Sequence, residues 1–186
     1  MSDPLSEQDK DTLAIAAELH RPLARAAKVA HGNGGWLMVF GGIGLLLGLM
    51  GPDWVSLLLG GAGVAVGFLE RRGAERMRRA DPEAPRLLAR NELVLMGILV
   101  AYGVLLLTVL RGSNELEQAV GGSVPGLDVK AMTDAITKAF GATVIGVPLL
   151  YQGGMARYFL RKRRDVERFL AEVPEWARDV VVQMAG

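Results

Sequence analysis

The chain has 186 residues, 51% of them hydrophobic, a net charge of only +1 and no cysteine. Without cysteine there is no disulfide framework, thiolate nucleophile, iron–sulfur cluster or cysteine-ligated zinc, and so even a charge balance gives no basis for a nucleic-acid-binding domain. The apolar residues come in uninterrupted blocks rather than at the spacing of a half-buried helix, which points to lipid and not to a globular core.

Residues 1–33 are read as a cytoplasmic amphipathic segment. Leu13, Ala16, Ala17, Leu23, Ala24 and Ala27 recur at near-helical spacing, and Pro22 divides the run, so two short helices are predicted against the membrane face or the rest of the protein. His20 and His31 are the only histidines and are expected at the surface rather than as a metal pair. Because the acidic residues Asp3, Glu7, Asp9, Asp11 and Glu18 precede the first apolar run, that run reads as an uncleaved signal anchor and not as a cleavable leader.

Trp36–Met50 and Trp54–Leu69 carry no charge and meet at Gly51, Pro52 and Asp53, which predicts a first transmembrane hairpin over 34–70. Gly44 and Gly48 on one helix, and Gly63 and Gly67 on the other, form small-xxx-small pairs that let two backbones approach. They are expected to pack this hairpin, or alternatively a second copy. The Gly60-Gly61-Ala62-Gly63 stretch is no phosphate loop, since no Lys-Ser/Thr follows it.

An Arg-rich cytoplasmic connection fills 71–91, and a second transmembrane hairpin is predicted over 92–160. Its first span is Leu93–Leu110 and its second grows from Ala139–Tyr151, with Pro148 expected to kink it. Between them lies a non-cytoplasmic loop, 112–137, turn-rich at Gly121, Gly122, Pro125 and Gly126. Asp128 is the expected cap of a helix whose Val129, Met132, Ile136 and Phe140 share one face.

The tail, 161–186, is the clearest amphipathic element. Phe169, Leu170, Val173, Trp176 and Val180 lie on one apolar stripe, interrupted by a helix restart at Pro174, and are the candidate docking residues. Headgroups, the amino-terminal helices or another subunit are the possible covers.

Positive charges orient the whole. Lys10, Arg21, Arg25 and Lys28 precede the first run, seven arginines lie in Glu70–Glu92, and seven lysines and arginines follow Met155, while only Arg111, Lys130 and Lys138 lie elsewhere. By the positive-inside rule both termini and the middle connection are cytoplasmic.

The spans hold no ionisable group at mid-depth, and no catalytic motif or carboxylate pair in a shared pocket is expected, so the chain reads as non-enzymatic, without cofactor or metal. Their polar side chains include Thr108, Thr143 and Gln152, whose hydroxyls and amide are expected to be satisfied structurally. The resulting expectation is an all-α, polytopic integral membrane protein with four transmembrane helices in two hairpins and amphipathic terminal helices. It sits in the cell (inner) membrane as a scaffold or accessory subunit, with other membrane proteins, a second copy and the lipid bilayer as partners and no nucleic acid.

The stretch Ala135–Tyr151, a threonine-containing helix followed by a proline and then a basic amphipathic tail, loosely resembles the last membrane helix of the flagellar-stator and Tol/Exb proton-channel family. That family carries a large cytoplasmic insertion where this chain has only residues 71–91, and its titrating aspartate belongs to a partner subunit. The resemblance implies the alternative function, a component of a small ion channel or transporter, with Thr108, Thr143 and Gln152 lining a path and Pro148 as its gate.

Overall fold

Ser6 starts the first helix. Its hydroxyl accepts the Asp9 N–H at 3.2 Å while the Asp9 carboxylate accepts the Ser6 N–H at 3.1 Å, a reciprocal cap that satisfies donors the first turn leaves free. The computed structural model describes residues 5–51, 53–108 and 129–184. Five α-helices occupy them: α1 (Glu7–Met50), α2 (Trp54–Arg78), α3 (Ala84–Thr108), α4 (Val129–Glu172) and α5 (Glu175–Met184), with no strand among the described residues. Four helical stretches, Glu7–Met50, Trp54–Arg78, Ala84–Thr108 and Ala135–Glu172, are long and apolar enough to cross a membrane.

The first correction falls at Pro22. Instead of two short helices, α1 runs through the proline as one helix of 44 residues. A proline inside a helix removes one backbone hydrogen bond and crowds the preceding turn, at about 3 kcal/mol. Burial on both sides offsets this, because Ala16, His20, Leu23, Ala26, Ala27 and Ala30 form one inward stripe that a break would take apart. At 1.5 Å per residue α1 is roughly 66 Å long, about twice the hydrocarbon thickness of a bilayer. Helix α4 likewise passes through Pro148 without interruption.

The helix ends follow local chemistry. Asp53 caps α2 by accepting the Val55 and Ser56 N–H groups, and the Ser56 hydroxyl and these backbone donors hold its carboxyl below the usual carboxylate range. Arg79 and Ala80 close α2 in a Schellman arrangement: the Asp81 N–H donates to the Arg76 carbonyl at 3.0 Å and the Ala80 N–H to the Met77 carbonyl at 3.0 Å. Ala80 therefore adopts a left-handed φ of 56°. An L-residue there costs roughly 1–2 kcal/mol, but the Ala80 methyl is buried and returns part of it. Ala80→Gly should leave the melting temperature nearly unchanged, whereas Ala80→Val, whose branched side chain fits neither the φ nor the space, should lower it by several degrees.

Between α4 and α5, Pro174 begins a new helix, with its carbonyl accepting the Ala177 and Arg178 N–H groups at 3.1 and 3.0 Å. The apolar core gathers the charged ends of the long helices and α5. Ala16, Leu23 and Ala27 of α1, Ala74 and Met77 of α2, Leu88 of α3, Phe159, Val166 and Phe169 of α4, and Ala177 and Val181 of α5 belong to one buried cluster.

The chain divides into two compact units, residues 1–92 with 155–186, and residues 93–154. In the second, α3 and α4 pack at small residues: a methyl at Gly103 would collide with Ile145, and one at Gly141 with Leu107. Of the expected loop 112–137, residues 112–128, the Asp128 cap among them, lie outside the described residues, and 129–137 belong to α4. Met132, Ile136 and Phe140 of α4 are all exposed.

Candidate functional site

Three polar side chains, one from each of the first three helices, meet where the apolar runs end. Asn33 stands just before Trp36, Glu70 directly after Leu69, and Glu92 directly before Leu93. The Asn33 amide donates to Glu92 Oε1 at 3.0 Å and to Glu70 Oε1 at 3.3 Å. Both glutamates are 0% exposed. One amide nitrogen within 3.3 Å of both Oε1 atoms makes the two carboxyl groups neighbours, and the Oε2 atom of each has no hydrogen-bond partner.

The site is built by helical phase. Glu70 falls on the same face of α2 as Gly63, Val66, Gly67, Ala74 and Met77, all buried, and Glu92 on the same face of α3 as Leu88, Ala89 and Leu95. Gly34 brings α1 close enough for Asn33 to reach across: a methyl group on Gly34 would lie 2.6 Å from the Gly67 carbonyl oxygen and 3.1 Å from Glu70 Cβ. The nearby arginines turn away. Arg71 is exposed and approaches His31 Nε2 at 3.5 Å, Arg72 lies over the Phe68 ring at 5.5 Å, and Arg90 is exposed. Among the described residues no lysine, arginine or histidine forms an ion pair with either glutamate. Buried carboxyls without a cationic partner are costly unless another positive charge joins them.

This pair corrects the expectation that no two carboxylates share a pocket. Each glutamate, read alone, marks the end of an apolar run, as charged residues commonly do. The available signal was their phase with the small and apolar residues three and four positions away, which places them on buried faces. No group of three or more metal-ligating side chains gathers among the described residues. His20 and His31 do not meet. His31 is exposed, while His20, expected at the surface, is buried, donates from Nε2 to the Arg78 carbonyl at 2.7 Å and packs against the Phe169 ring at 5.3 Å.

The four glycines singled out by spacing face the partner helix. A methyl on Gly44 would lie 3.3 Å from Gly60 Cα, and one on Gly63 3.3 Å from Gly41 Cα. One on Gly48 would meet Leu57 at 2.9 Å, and one on Gly67 the Gly34 carbonyl oxygen at 2.6 Å. Gly34, Gly41 and Gly60, which the spacing argument did not single out, make approaches at least as tight.

The docking candidates divide. Phe169 and Val173 are buried within the chain's own core, and Leu170 packs partly against it. Trp176 and Val180 remain 42% and 37% exposed, in line with Met184 at 83%. Of the three possible covers for the stripe, α1 lies in the same cluster as its inner half.

The polar atoms of the proposed path residues make no hydrogen bond to one another. The Thr108 hydroxyl donates to the Val104 carbonyl and the Thr143 hydroxyl to the Ala139 carbonyl, each at 2.8 Å, and both residues are exposed. Gln152 is buried with Oε1 unpartnered, about 13 Å along the helix axis from Thr143.

No family model, curated protein or solved structure matches this chain.

Proposed function

We propose that the chain is a small non-enzymatic accessory subunit or scaffold of a larger membrane assembly. In this reading the four apolar helices form two transmembrane hairpins in the cell (inner) membrane, and both termini and the 71–91 connection face the cytoplasm, an orientation the arginine distribution supports. The observation that carries it is the outer face of α5. Trp176, Val180 and Met184 remain exposed at helical spacing after the chain's own core has taken Phe169, Val173, Ala177 and Val181.

The test is purification from native membranes in mild detergent. The wild-type chain should bring partner membrane proteins with it, and Trp176→Glu combined with Val180→Glu should release them while leaving the chain folded and membrane-bound. A wild-type chain that purifies alone as a monomer overturns the reading. The absence of native cysteine allows the orientation to be checked by single cysteines at Gln183 and Asp53, which should be labelled by an impermeant maleimide from opposite sides.

A component of a small ion channel or transporter is the second reading, and the Glu70–Asn33–Glu92 cluster is the observation in its favour, since ionisable groups beside membrane spans are costly and commonly serve transport. Proton or cation flux in vesicles reconstituted with the chain and its co-purifying proteins would support it. Vesicles that stay tight to both would refute it.

A further inference from the structure

We infer that Glu70 and Glu92 form a proton-binding site, in which a single proton taken up from water is held between the two Oε2 atoms while Asn33 fixes both Oε1 atoms. The site holds under either reading of the function.

Two observations bear on the occupant, and they are separate. The first is the arrangement itself: α2 and α3 each deliver a fully buried carboxyl, and α1 delivers one amide that donates to both. That leaves two acceptors and no donor. The second is that both Oε2 atoms are orphaned. A buried acceptor without a donor is disfavoured by roughly 1–3 kcal/mol, and more when it is ionised. One added proton removes both deficits, because it makes one Oε2 a donor to the other and lowers the charge of the pair from two negative to one.

Among the described residues no cationic side chain pairs with either carboxyl. From α1 the pair is faced by Asn33, with Lys28 and His31 exposed. Along α2, Arg71 is drawn to His31 and Arg72 to Phe68, while Glu75 is exposed. On α3, Arg90 is exposed and Asn91, buried with its amide nitrogen unpartnered, is neutral. On α4 in this unit Ala156 and Phe159 are buried, and Arg157 and Arg161 are exposed. A metal ion is a poor occupant, since no third carboxylate or histidine joins the pair among the described residues.

Bound this way, the proton ties α2 to α3 where the apolar runs end. By linkage, a native state that holds a proton released by the unfolded chain loses stability as pH rises. One such proton corresponds to a fall of roughly 3–5 °C in melting temperature for each pH unit.

The experiment uses the full chain in lipid vesicles. Infrared spectra at neutral pH should show the carbonyl band of a protonated carboxyl, and that band should vanish in Glu70→Gln and in Glu92→Gln. The melting temperature of the wild type should fall as pH rises above the range in which free glutamates titrate, level off where the band is lost, and stay flat in both variants. A wild type without the band, a band that persists in both variants, or equal pH slopes in all three would overturn the assignment. So would a melting temperature that follows sodium concentration rather than pH, because the occupant would then be sodium. Should a variant fail to fold, the wild-type band decides the matter: a fall in melting temperature that levels off at the pH where the band is lost supports the site, and a band that persists after the fall has levelled off refutes it.

Discussion

Gly60→Leu should abolish the pairing of α1 with α2. Even the first carbon of a side chain at this position would lie 2.5 Å from the Leu45 backbone nitrogen, 2.7 Å from the Gly41 carbonyl oxygen and 2.9 Å from the Gly44 carbonyl carbon. These are main-chain atoms of a helix, so they cannot swing aside as the tip of a flexible side chain can. Overpacking usually costs about 1–3 kcal/mol where neighbours can adjust, and a site enclosed by backbone belongs at or beyond the upper end of that range. The matched control is Gly42→Ala on the facing helix, where an added methyl meets nothing within 4 Å. Removing a helical glycine there should be neutral or stabilising by up to about 1 kcal/mol. Thermal unfolding and the fraction of monodisperse protein after extraction separate the two variants. Equal behaviour would mean that the glycine seam is not a determinant of the fold.

Phe169→Ala carries the second large effect. Phe169 is fully buried in the cluster that joins α1 and α4, its ring 5.3 Å from that of His20. Truncating a buried phenylalanine costs about 3–5 kcal/mol through lost burial and the cavity left behind. The loss should be local at first: the carboxy-terminal part of α4 and all of α5 should exchange amide hydrogens faster, while α2 between Trp54 and Leu69 stays protected. Trp176→Ala, on the same amphipathic stripe but 42% exposed, should change stability by less than about 1 kcal/mol. Comparable losses in the two variants would contradict the division of the stripe into an inner and an outer half.

That division shows where sequence reasoning reaches its limit. The stripe from Val166 to Met184 is legible because its period is that of a helix, but a period says only that one face needs cover. The choice among headgroups, α1 and a partner depends on which surfaces the fold brings near, and Phe169 meets His20 across nearly the whole length of the chain. The apolar helices were legible for the opposite reason: an uncharged run of sufficient length has a meaning that needs no tertiary contact. At Pro22 the local rule failed, because the inward stripe from Ala16 to Ala30 outweighs the hydrogen bond the proline removes. Glu70 and Glu92 were visible as residues and invisible as a site. They are far apart in sequence, each at the edge of an apolar run where a charge is ordinary, and only the helical register shows that both point inward.

The absence of a joint in α1 has mechanical meaning. From Leu23 to Met50 the backbone is one hydrogen-bonded rod, with no proline between the apolar stretch and the packed core. A bilayer thinner or thicker than the apolar stretch is accommodated by tilting it, and a rod without a hinge carries that tilt to its far end as a sideways displacement. Leu23, Ala27 and Ala30 ride on that same rod, so lipid thickness becomes a load borne by the helix contacts around them.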